Sequence, residues 1–178
     1  MHKQKITLIV IILIGGIAVL GSYAWGILAV PNAGRILWGD VPDILRILST
    51  IGMLPGALGY FAYTYFILFR LNPDETHIYQ RFGYGVFSIL YIAILIPSAL
   101  WLPLTSLAVS SSSPLLDWVV RLDLVVVGLA SLALLFALLH TQPRQPMWAF
   151  WLAVIGCVFF CIQTVILDAI LWGAYFQA

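Results

Sequence analysis

Residues 114–140 read PLLDWVVRLDLVVVGLASLALLFALLH, from Pro114 to His140. About 20 helical residues cross the roughly 30 Å hydrocarbon core of a bilayer, and this run is longer than that. Ser113 stands where an N-cap belongs and Pro114 where a first helical residue belongs, so the helix has a defined start. Its opening turns nevertheless carry Asp117, Arg121 and Asp123. A charged side chain at mid-bilayer costs about 2.5–3.5 kcal/mol on insertion scales. Such residues persist where they face other helices, pair, or line water. This stretch therefore predicts a membrane-spanning helix whose first half faces something polar.

Four more runs match it, giving spans at Ile6–Ala29, Ile44–Leu71, Phe82–Val109, Pro114–His140 and Pro146–Phe176 within one domain covering residues 1–178. The chain is 63% hydrophobic and 8% charged, against about 25% charged in soluble domains. Its mean hydropathy is +1.07. The fold class is all-α, an integral membrane bundle of five transmembrane helices, because lipid does not tolerate unpaired backbone groups and the alternation of a barrel is absent. Four short connections join the spans. The first holds Pro31, Asn32, Gly34, Gly39 and Pro42, the second Pro73, Asp74, Glu75 and His77, the third Ser110–Ser113, and the fourth Pro143 and Arg144. Short links predict sequential helices lying side by side and antiparallel.

Lysine and arginine set the expected orientation. Lys3, Lys5, Arg70, Arg81 and Arg144 fall on one side, Arg35, Arg46 and Arg121 toward the other. The N-terminus is therefore expected inside and the C-terminus outside. Asp40, Asp43, Asp117, Asp123 and Asp168 then gather in the outer half. The start of the chain, Lys3 and Lys5 before Ile6–Leu20 and Gly21-Ser22-Tyr23-Ala24, also resembles a secretory signal peptide. We read it as a retained first helix; cleavage after Ala24 would leave four.

Helical spacing sorts the outer-half charges. Asp117 and Arg121 stand at i,i+4, acid first, the favourable order for an ion pair. Asp123 points about 240° away from Asp117 at 100° per residue, so its partner must come from another helix. In the fifth span Cys157, Cys161, Thr164, Asp168, Trp172 and Tyr175 form one stripe, and Gln163 falls on another face. The third span offers Tyr84, Ser88, Tyr91, Ser98 and Thr105, and its Pro97 and Pro103 should disturb the outer half. The second carries Ser49, Gly52, Gly56, Gly59 and Tyr63 on a ridge suited to close packing, with Arg46 at its outer start.

These positions predict a ligand site in the outer half. Asp168 is the central polar group, Arg121 and Arg46 are counter-charges, Asp117 and Asp123 form the rim, and Trp101 and Trp172 supply aromatic wall. Cys157 and Cys161 read as packing, since C-x-x-x-C supplies two metal ligands with no histidine nearby. His2, His77 and His140 stand at a terminus, in a loop and at a helix end, so no haem pair is expected. There is no H-E-x-x-H, no G-x-S-x-G and no phosphate-binding loop, so neither a catalytic residue, a metal nor a cofactor is expected. A net charge of +1 without a basic stripe excludes a nucleic-acid partner. The expected partners are the lipid bilayer, a small-molecule or lipid ligand, or another membrane protein.

Two functions follow. One is binding or transport of a small molecule, lipid or ion through that polar and aromatic pocket. The alternative is an accessory or scaffold subunit, with structural salt bridges and the glycine ridge against a partner. In outline, five short-looped helices with seven tryptophans resemble the translocator (tryptophan-rich sensory) family, with Leu100-Trp101-Leu102-Pro103 as the shared local stretch. The proline-rich tryptophan motif of that family has no full match here. Four residues carry over no site.

Overall fold

A computed structural model of the chain describes residues 2–29, 38, 41–111 and 113–176. Pro31, Asn32, Gly34, Arg35, Gly39, Asp40 and Ser112 lie outside the described residues. Among the described residues the protein is all-helical apart from three very short strands, and five helices are long and apolar enough to cross a membrane. α1 spans Lys3–Ala29 and α2 spans Asp43–Tyr65, the latter continuing as wide π turns over Phe66–Arg70. α3 spans Gly85–Ser111 and α4 Pro114–Leu139. α5 spans Met147–Cys161, continues as a π-helix over Ile162–Trp172, and closes with a last α turn over Gly173–Tyr175.

The outer surface explains the choice of solvent. Leu28, Leu115, Ile27 and Ile89 are exposed by 85%, 73%, 68% and 67% of their surface, and similar side chains cover every long helix. Water would penalise so large an apolar exterior, whereas lipid tails accept it. The interior is built of large side chains that interlock. Tyr63, Phe66, Phe87, Tyr91 and Phe150 are fully buried in one cluster. Several polar atoms in and beside it are paired: Thr64 and Tyr91 share a 2.6 Å hydroxyl bond, Tyr84 donates to the carbonyl of Ile67 at 3.1 Å, and Ser131 and Thr164 meet at 2.7 Å, while the hydroxyl of Tyr63 is buried without a hydrogen-bond partner. α3 remains helical through Pro97 and Pro103. Within it Ser98 donates to the carbonyl of Ile94 and Thr105 to that of Trp101.

Helix order in space departs from helix order in sequence. Extensive packing joins α1 to α3, α3 to α4, α4 to α5, and α5 to α2. Neighbours in sequence are thus neighbours in space for the last three helices, but α1 lies along α3 rather than α2. The connection from Val30 to Asp43 is long enough to step past a helix about 10 Å across, so it imposes no adjacency. Small residues set the closest contacts. A Cβ on Gly59 would stand 2.1 Å from the carbonyl oxygen of Gly156, so α2 and α5 touch backbone to backbone. Gly52 and Gly56 meet Gln163 of α5 along the same ridge. The glycine ridge read from sequence is therefore a packing surface, and its partner is α5 of the same chain.

One end of the bundle carries the strands, which sequence reading did not anticipate. β1 (His77–Ile78) pairs antiparallel with β2 (Phe82–Gly83) and with β3 (Thr141–Gln142). This small sheet ties the α2–α3 connection to the α4–α5 connection. His2 lies 3.0 Å from Asp74 at the same end. At the opposite end a second core cluster gathers Val41, Ala108, Val120, Leu124, Trp172 and Phe176.

Candidate functional site

Because α1 and α2 pack on different neighbours, a cleft lies between them. It has a volume of about 600 Å³ and takes walls from all five long helices. Ile12, Gly16 and Leu20 of α1 face Met53, Ala57 and Tyr60 of α2, with Ile94 and Leu95 of α3 and Leu124 and Val127 of α4 behind them. This wall is apolar. The polar groups collect toward the end opposite the sheet, where Tyr23, Ser98, Trp101, Gln163, Thr164 and Asp168 line it.

Asp168 is placed by the widened turns of α5. Its Oδ1 accepts a hydrogen bond from Nε2 of Gln163 at 2.8 Å. In an α-helix, residues five apart stand about 140° off one face. In the π segment the backbone bonds run to the fifth residue, as where Gly173 N–H reaches the carbonyl of Asp168, and Gln163 comes onto the face of Asp168. This corrects the expectation that Gln163 points elsewhere. The predicted stripe otherwise holds: Cys157, Cys161, Thr164 and Trp172 are buried, Asp168 is half-buried, and Tyr175 emerges at the end.

Of the residues singled out from sequence, Asp168 and Trp101 line the cleft, and Arg121, Asp123, Asp117, Arg46 and Trp172 stand outside its lining. Arg121 donates through Nη2 to the carbonyl of Phe176 at 2.7 Å, and its guanidinium lies 5.3 Å from the centre of the Trp118 ring. That hydrogen bond ties α4 to the residue just beyond the end of α5. Phe176 stacks on Trp172 with centroids 4.4 Å apart, Trp172 meets Trp101 edge-on at 5.5 Å, and Trp101 meets Tyr23 at 5.8 Å. Arg121 and Trp172 therefore support the aromatic wall from behind. Arg46 is engaged within its own turn, 3.7 Å from Asp43 and 3.4 Å from the carbonyl of Val41. It does not close on Asp168 or Asp123. Asp117 and Asp123 are half-buried on α4, and Oδ2 of Asp123 is buried without a hydrogen-bond partner.

Sequence reading did not place Gln163, Ser98 and Tyr60 in the site, and all three line the cleft. The available signal was a polar residue five positions before an intramembrane acid, legible only to a π period. Two polar atoms of the described cleft-lining residues are buried without a hydrogen-bond partner, the indole Nε1 of Trp101 and the Oε1 of Gln163. Buried groups of that kind carry a desolvation penalty unless something bonds to them. Among the described residues no three His, Cys, Asp or Glu side chains cluster as a metal site would need. Comparison with models of protein families, with characterised proteins and with solved structures finds no match.

Proposed function

We propose that this chain is a multi-pass membrane protein, N-terminus inside, that binds or passes a small lipid-soluble molecule in the cleft between α1 and α2. The observation that carries the reading is the cleft itself: about 600 Å³, apolar along most of its length, with a few polar groups at one end. Small-molecule sites share that volume range and that mixture of apolar wall with few orienting groups. The absence of extensive packing between α1 and α2 supports entry from the bilayer rather than from water. The scaffold alternative loses its main support, since the glycine ridge is occupied by α5.

The test fills the cleft. A Cβ on Gly16 would meet nothing within 4 Å, so Gly16→Phe places a ring in the cleft without striking a neighbour at its root. Purified protein incubated with monooleoylglycerol in mild detergent should retain one adduct by native mass spectrometry, and Gly16→Phe should lose it. Equal retention by both proteins would sink the reading.

A further inference from the structure

Resting on that cleft reading, we infer that its ligand carries a positive charge, a lipophilic ammonium or phosphonium whose head meets Asp168. Asp168 is the acid that lines the cleft, and among the described lining residues there is no lysine, arginine or histidine. The two arginines nearest in sequence expectation are engaged elsewhere, Arg121 with Phe176 and Arg46 with Asp43 and Val41. The hydrogen bond Asp168 receives comes from a neutral amide, which solvates the carboxylate without neutralising it. A carboxylate in an apolar setting is stabilised far more by an opposite charge than by a dipole.

The surroundings fit the same head group. Tyr23 and Trp101 line the cleft beside Asp168, their ring centres 5.8 Å apart. Aromatic faces attract cations through the ring quadrupole, most strongly where water is excluded. An anionic head would meet the carboxylate of Asp168. The remaining wall, from Ile12 to Phe61, is apolar and takes a hydrocarbon or aryl tail. Acid, rings and tail wall follow one another along a single cleft, as the parts of a cationic amphiphile do.

Tetraphenylphosphonium and tetraphenylborate, ions of nearly equal shape and opposite charge, separate charge from fit. Specific binding is the part lost in Gly16→Phe, measured on detergent-solubilised protein by equilibrium dialysis. The wild-type protein should bind the phosphonium at least tenfold more tightly than the borate. Asp168→Asn should remove that preference, while Asp123→Asn, outside the cleft, should keep it. Equal specific binding of both ions, no specific phosphonium binding, or a preference that survives in Asp168→Asn would overturn the inference. The wild-type preference is read without any variant of Asp168, so misfolding of Asp168→Asn would not blunt the test. Should monooleoylglycerol be displaced by Gly16→Phe while the two ions bind alike, the cleft reading stands and the charge inference falls. Should Gly16→Phe alter the binding of none of these probes, both fall together.

Discussion

Gln163 shows how much one side chain can decide. It is buried against Gly52 and Gly56 of α2 and donates to Asp168. Replacing it with leucine keeps the volume and removes the donor. The expected cost is about 1–3 kcal/mol, the usual consequence of leaving a buried acceptor without its bond, seen as a lower melting temperature in detergent. Arg121 makes the complementary case. Its bond to the Phe176 carbonyl joins α4 to the end of the chain, and charged hydrogen bonds are worth about 1.5–3 kcal/mol. Arg121→Met should accelerate amide hydrogen exchange in residues 172–176 while leaving the sheet end unchanged. At this scale the sequence marked Asp168 and Trp101 as cleft residues for sound reasons of hydropathy. It set Arg121 and Arg46 beside Asp168, whereas neither lines the cleft, because spacing reports which face a side chain leaves from, not where a flexible guanidinium arrives.

Elements were the most legible feature. The spans expected at Ile44–Leu71 and Pro114–His140 correspond to helices at Asp43–Arg70 and Pro114–Leu139, since apolar length and an N-terminal proline are local signals. The widening of α5 into a π-helix was not legible, because an apolar run looks alike at either period. The three strands were hidden for another reason: two-residue pairings between separate connections leave no alternation to detect. The hairpin of β1 and β2 also turns through Tyr79 and Gln80, with φ of 51° and 54°. Left-handed backbone costs a side-chain-bearing residue roughly 1–2 kcal/mol, so Gln80→Gly should raise the melting temperature. The opposite outcome belongs to Gly59. An alanine there drives a methyl into the Gly156 carbonyl, and overpacking of that kind costs about 1–3 kcal/mol, whereas Gly16→Ala should be neutral or better. Melting curves of the two variants side by side check both.

The molecule as a whole is an open row of helices, α1, α3, α4, α5 and α2, whose two ends face each other across the cleft. Five helices long and apolar enough to cross a membrane were written in the composition. The order of the row was not, because the connection between α1 and α2 is long enough to permit either neighbour. The proposed orientation is testable at this scale. Cys157 and Cys161 are buried, so background labelling is low. A cysteine replacing Glu75 should react with an impermeant maleimide only after the membrane is opened, and one replacing Ser110 should react in intact cells. Reversed labelling would reverse the orientation.

α1 has a particular standing in this row. Among its described residues only Leu8 and Gly26 are buried, and a Cβ added at Gly15 or Gly26 would run into Leu95 or Leu102 of α3. Two glycine notches thus hold a helix whose other faces meet lipid or the cleft. In terms of mutational tolerance, saturation mutagenesis of α1 should give an uneven map. Exposed positions outside the cleft, such as Ile27 and Leu28, should accept almost any apolar residue. Gly15 and Gly26 should accept almost nothing, marking by intolerance alone the seam along which the first helix is fastened.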